Sequence, residues 1–193
     1  AWYKYHIQEK IVKNASPLFL NENNLIAIPC QNKFILWDLV NKEEKEIKIE
    51  LPIDFIKLKW HGKEFSYSFI LLTKEQELIE YDANTNQYKK INIATRGNII
   101  DFCLLKTFFC ILDNTGQLTV MNLHKNEILF KEEFGKTAKK IFKYPPGKNI
   151  LIVHENFLQI FSLDLRTNQR NFKGGIAPIK NQTFSFQGRY IAL

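Results

Sequence analysis

The sequence predicts an all-β protein built from a repeating four-stranded unit. A short apolar motif recurs at a near-constant period, a second motif precedes it at a near-constant distance, and turn residues fall between the two. No segment carries a sustained 3.6-residue apolar period with caps, so almost no helix is expected.

The first motif is Phe34-Ile-Leu-Trp37-Asp38, which returns as Leu78-Ile-Glu-Tyr81-Asp82, Leu118-Thr-Val-Met121-Asn122 and Leu158-Gln-Ile-Phe161-Ser162. Its large fourth residue stands at 37, 81, 121 and 161, at spacings of 44, 40 and 40. The second motif is Leu25-Ile-Ala-Ile28, then Phe69-Ile-Leu-Leu72, Phe109-Cys-Ile-Leu112 and Ile150-Leu-Ile-Val153. From its last residue to the anchor the gaps are 9, 9, 9 and 8. A fifth copy, Tyr190-Ile-Ala-Leu193, ends the sequence. Agreement between two registers marks a true repeat.

Each unit reads as four strands. In the second, Phe55 to Trp60 alternates and is the expected inner strand. Phe69 to Leu72 is continuously apolar, as befits a strand buried on both faces. Glu77 to Tyr81 follows a turn at Thr73-Lys74-Glu75, and the polar alternation from Tyr88 to Ile93 suits an outer strand. Turn chemistry recurs at Asp113-Asn114-Thr115-Gly116 and Pro145-Pro146-Gly147-Lys148. Polar turns also follow each anchor, at Val40-Asn41-Lys42, Asn84-Thr85-Asn86, His124-Lys125-Asn126 and Arg166-Thr167-Asn168. The repeats then cover about 15–52, 53–95, 96–135, 136–174 and, incomplete, 175–193.

This pattern resembles the WD40 repeat family, most clearly at Trp37-Asp38, the dipeptide that names it. Tyr81-Asp82 is a close variant; Met121-Asn122 and Phe161-Ser162 are degenerate ones. The family's Gly-His dipeptide is missing from every repeat, and His61-Gly62 is its reverse in a loop, so the family's buried Asp-His-Ser/Thr-Trp network does not carry over. The resemblance implies a WD40-like β-propeller, about four and a half four-stranded blades of a ring expected to have seven. The chain would then be part of a longer propeller. Residues 1–14, where Trp2 to Val12 alternate, are the candidate ring-closing strand. In this frame Trp37, Tyr81, Met121 and Phe161 anchor the third strands between blades, each contributing about 1.5–3 kcal/mol on full burial. The rival architecture is a β-sandwich, whose strands need no matching 40-residue register.

The net charge of +7 brings RNA or an acidic protein surface into consideration. Lysine and glutamate alternate, however, as in Lys42-Glu43-Glu44-Lys45-Glu46, which reads first as a solvated surface. Three cysteines, Cys30, Cys103 and Cys110, are too few and too scattered for a disulfide framework. They suit a reducing intracellular compartment, whether cytoplasm, nucleus, nucleolus or cilium. Neither an 18-residue apolar stretch nor a signal peptide is found, so no membrane span is expected.

His6, His61, His124 and His154 are scattered, and none has a ligand partner at metal-site spacing. There is no Gly-x-Ser-x-Gly, no Walker loop and no Gly-x-Gly-x-x-Gly. Catalytic residues, cofactors, metals and a small-molecule substrate are therefore not expected. The residues singled out for interaction are Lys59, Trp60, His61 and Lys63, an aromatic among cations in an expected loop; Lys139, Lys140 and Lys143; and Arg166 and Arg170. Each also reads as core, strand face or turn. The functional expectation is a non-enzymatic scaffold for other proteins of a multisubunit complex. The alternative is an RNA-contacting subunit of a ribosome-biogenesis-type particle.

Overall fold

The computed structural model describes strand segments between residues 18 and 60, residues 68–173 apart from 83–84, 106 and 145–147, and strands at 183–184 and 191–192. Trp2 to Val12, Cys30, His61, Lys63 and the Val40-Asn41-Lys42 turn lie outside the described residues.

Among the described residues every regular element is a strand. The chain divides into two units, Ala1–Asn92 and Ile93–Leu193. In the first, β1 (Leu18–Leu20), β2 (Leu25–Pro29), β3 (Lys33–Asp38) and β4 (Glu43–Lys48) form one sheet. A second holds β5 (Phe55–Trp60), β6 (Ser68–Thr73), β7 (Leu78–Asp82) and β8 (Gln87–Ile91). In the second unit, β9 (Ile99–Leu105), β10 (Phe108–Asp113), β11 (Gln117–Asn122) and β12 (Glu127–Glu133) form the third sheet. The fourth comprises β13 (Ala138–Tyr144), β14 (Asn149–His154), β15 (Phe157–Ser162) and β16 (Thr167–Lys173). A short pair follows, β17 (Thr183–Phe184) and β18 (Ile191–Ala192).

Every four-stranded sheet is an antiparallel meander in chain order, the pattern of a propeller-like fold. Register matches the repeat: Ile26 faces Trp37, Phe69 faces Tyr81, Phe109 faces Met121 and Ile150 faces Phe161. Inner strands repeat a bulge as well. Ile56, Ile100 and Lys139 are each skipped by the ladder to the second strand. The outer strand β8 ends at Ile91, two residues short of the expected Ile93, because Ile91 already faces Leu78, the first residue of β7.

The continuous apolar runs are explained by burial on both faces. In β14, Ile150 and Ile152 enter a core with Cys103, Cys110, Val120 and Phe161 between the third and fourth sheets. Leu151 and Val153 enter another, with Leu158 and Ile160, on the far face of the fourth sheet. Alternation along one strand thus feeds two cores, as stacked blades require.

Left-handed backbone recurs at fixed distances from the anchors. Five residues before Tyr81 and Met121 stand Gln76 (φ 67°) and Gly116 (φ 86°), each ending a turn whose amide bonds back to the carbonyl of Thr73 or Asp113. Five residues after Tyr81, Met121 and Phe161 stand Asn86, Asn126 and Arg166, at φ 54°, 52° and 50°. Arg166 therefore closes its turn, and Thr167 and Asn168 already belong to β16. Gly116 is required twice over, since a Cβ there would lie 2.0 Å from the Gly135 carbonyl oxygen.

Candidate interaction surface

Strand direction sorts the connections of the second unit into two ends. At one end are the β10–β11 and β14–β15 turns and the crossovers that lead into β9 and β13. At the other are the β9–β10, β11–β12, β13–β14 and β15–β16 turns. Buried polar groups shape the first end, and exposed cations without a carboxylate partner among the described residues distinguish the second.

At the first end the organising group is the Asp113 carboxylate, 1% exposed. Its Oδ1 accepts from the Thr115 amide (2.9 Å), the Thr115 hydroxyl (2.5 Å) and the Gln117 amide (3.1 Å). Its Oδ2 accepts from the amides of Arg96 and Gly97, both at 3.1 Å. Burial works against the charge, but the Thr115 hydroxyl and the Gln117, Gly97 and Thr115 amides outweigh it and hold the carboxyl below its ordinary range. One ionised side chain therefore ties the turn after β10 to the segment entering β9. Its equivalents do smaller versions of the same task. Thr73 Oγ1 accepts from the Glu77 amide at 3.1 Å. His154 lies 3.0 Å from both Thr137 Oγ1 and Gln159 Oε1, and stacks on Phe157 at 3.9 Å. With Gln159 accepting from Nε2–H, the neutral ring accepts the Thr137 hydroxyl at Nδ1. Burial lowers the pKa of His154, against the opposing Gln159 bond.

A second buried carboxylate joins the two sheets. Asp101, on β9, accepts its neighbour Phe102's amide at 2.9 Å and, through Oδ2, the Ile141 amide of β13 at 2.9 Å. The inner strands are thus pinned to each other by a side chain. Asp101 and Asp113 were not singled out in the sequence as network residues. Asp113 sat in a legible turn motif, whereas nothing local to Ile99–Leu105 signals a partner forty residues away.

The structure disperses the residues expected to form an interaction surface. Lys59 and Trp60 end β5, facing Ile70 and Phe69, and so belong to the expected inner strand rather than to the loop after it. Lys139 is exposed on β13, 3.0 Å from Glu155 at the first end. Lys140 is half-buried, and Lys143 is exposed toward the second end of the same strand. Arg166 stands at the second end with its guanidinium 4.7 Å from the Phe130 ring centre, and so links the fourth sheet to β12. Arg170, on the outer strand β16, covers Phe172 at 4.8 Å. Lys139 and Arg170 are on opposite edge strands of one sheet, separated by three strand spacings or about 14 Å.

The anchors are placed by the same strands. Tyr81, Met121 and Phe161 are buried, and Trp37 is half-buried. Phe161 packs edge-on against Phe134 at 5.1 Å in the core between the third and fourth sheets. The Tyr81 hydroxyl donates to Asn86 Oδ1 at 2.6 Å. The residue after the anchor shapes the following turn: Asn122 Oδ1 accepts from the amides of His124 and Lys125, and Ser162 Oγ from that of Leu165. Asp82 is half-buried beside Tyr81, and Asp38 ends β3.

Comparison with known proteins bears on the fold alone. The solved structure of apo AztD from Citrobacter koseri is similar, with a TM-score of 0.59 at 13% identity. The likeness covers 85% of this chain and 47% of that one, so the chain spans about half of AztD's length. No protein-family model and no curated protein matches the sequence. Among the described residues no group of three or more His, Cys, Asp or Glu side chains is placed to hold a metal, and no helix is long and apolar enough to cross a membrane.

Proposed function

We propose that this chain is part of a seven-bladed WD40-like β-propeller that serves as a non-enzymatic scaffold for protein–protein interactions in a larger intracellular assembly. The observation that carries this reading is the use made of the buried polar groups. Asp101, Asp113, Thr73 and His154 hold turns, crossovers and neighbouring strands in place. The outcome is a stiff frame that presents short, conformationally fixed turns, which is what a docking platform needs. The WD40 assignment rests on Trp37-Asp38 and on the 40-residue register of the anchors.

A second reading, an RNA-contacting subunit of a ribosome-biogenesis-type particle, is favoured by the exposed cations Lys125, Lys143 and Arg166 at the second end. Phosphate neutralisation would make such binding fall steeply with salt. Affinity purification of the full-length protein with mass spectrometry, with and without RNase, separates the two. Proteins retained after RNase support the scaffold; their loss moves RNA to first place.

A further inference from the structure

We infer that the second end of unit 2 is a docking surface for an acidic protein segment bearing an aliphatic side chain, an inference that rests on the scaffold reading above. The two ends differ in charge. At the first, Arg96, Lys131, Lys136 and Lys139 stand against Glu132, Glu133 and Glu155; Arg96 pairs with Glu133 at 3.1 Å, Lys139 with Glu155 at 3.0 Å, and Lys131 donates to the Ala94 carbonyl at 3.0 Å. At the second, Lys125, Lys143, Lys148 and Arg166 are all exposed, against only Glu127 and Asp164. Asp164 is engaged by Lys148 at 3.0 Å. Among the described residues no carboxylate lies within ion-pair distance of Lys125, Lys143 or Arg166.

Two of these four cations, Lys148 and Arg166, are held in place, which lowers the entropy lost on binding. Arg166 lies over Phe130 at 4.7 Å and Lys148 over Phe108 at 5.5 Å, so both bridge the fourth sheet to the third. Beside Arg166 stands Leu165, 68% exposed, the most exposed of the large hydrophobic residues described. Its turn is fixed by the Leu165 amide bonding to Ser162 Oγ at 3.3 Å and the Leu163 amide to the Lys148 carbonyl at 2.9 Å. An exposed aliphatic side chain next to the fixed Arg166, on an end that also carries exposed Lys125, Lys143 and Lys148, matches an acidic segment with an apolar residue of its own. RNA fits less well. The Phe108 and Phe130 rings at this end are half-buried beneath Lys148 and Arg166, Tyr144 is half-buried against the far face of the fourth sheet, the exposed ring is the small His124 imidazole, and Leu165 has no flat π-face on which a base would stack.

The test measures fluorescence anisotropy of two labelled probes, a (Glu-Glu-Leu)4 peptide and a 12-mer of uridylate, against the full-length protein. The proposal expects the peptide to bind more tightly than the oligonucleotide. Lys125→Glu/Lys143→Glu should weaken the peptide at least tenfold and Leu165→Ser at least threefold, with melting temperatures unchanged. Arg96→Glu/Lys139→Glu, at the other end, should leave it within twofold. No peptide binding, equal loss with both charge-reversal pairs, or preference for the oligonucleotide would each overturn it. The scaffold reading is judged separately, by affinity purification. If the same proteins survive RNase with the wild type and with Lys125→Glu/Lys143→Glu, the scaffold stands and this surface is refuted. If nothing survives with either, the scaffold itself fails.

Discussion

Asp101 Oδ2 accepts the Ile141 amide at 2.9 Å, joining inner strands of two successive sheets by a buried side-chain bond. Both groups are shielded from water, with Asp101 2% and Ile141 0% exposed. Removing the acceptor therefore leaves two buried amides, of Phe102 and Ile141, with a lost partner. Asp101→Ala should destabilise the fold by about 1–3 kcal/mol for each donor left unpaired. Asp101→Asn, which keeps one acceptor oxygen, should cost less. Urea titration of the three proteins checks the order.

Gly116 tests the turn geometry. An alanine must adopt a left-handed conformation, at about 1–2 kcal/mol, and must also push its Cβ off the Gly135 backbone. Gly116→Ala should therefore lower stability by more than Gly135→Ala, where φ is 75° and the added Cβ meets nothing within 4 Å. Thermal melts of the two variants give the comparison directly.

Arg166 carries a cost and a gain at one residue. Its left-handed backbone is unfavourable for a residue with a Cβ, and Asn, found at the equivalent positions 86 and 126, tolerates it better. Its stacking over Phe130 contributes about 0.5–1 kcal/mol at an exposed site, of the same order as the strain. Arg166→Asn should therefore change stability by less than about 1 kcal/mol in chemical denaturation.

Acid should weaken the fold in two windows. His154 has a folded pKa below its ordinary 6.5, so the unfolded chain binds that proton more readily. Its contribution is complete above about 6.5 and declines as pH falls toward the folded value. Asp113 has a folded pKa below its ordinary 3.8, so its contribution is present above that value and is lost as pH falls through the folded one. His154→Gln should flatten the upper window and leave the lower one intact, as read by stability measured from pH 8 to 3.

Cys103 and Cys110 face each other on β9 and β10, and both are buried free thiols. The hydrogen bond to Cys103, and then burial, push the Cys110 thiol well above its usual range. Neither cysteine should react with iodoacetamide at pH 8 in the native protein, and both should become reactive at the unfolding midpoint. Peptide mass mapping distinguishes them from Cys30.

Strands were legible because the apolar runs of β6, β10 and β14 are buried throughout, and a strand between two cores satisfies Ile150-Leu-Ile-Val153. The turns were legible where Asn or Gly occupies a left-handed position, as at Asn126 and Gly116, and least so at Arg166, whose side chain gives no hint of that backbone. The interaction surface was hardest to read. Grouping Lys139, Lys140 and Lys143 by adjacency in sequence joins what the strand divides between two ends, while Lys125, Leu165 and Arg166 come from turns some forty residues apart. Long-range pairs such as Asp101 with Ile141 leave no mark in a local pattern at all.

The measurement that tests the account most directly is an experimental structure of the full-length protein at a resolution that separates strands. The account predicts successive four-stranded meanders arranged around a central channel, seven in all, with Asp101 bonded to the Ile141 amide between adjacent inner strands. Two sheets packed face to face as a sandwich, or meanders stacked without closing, would contradict it.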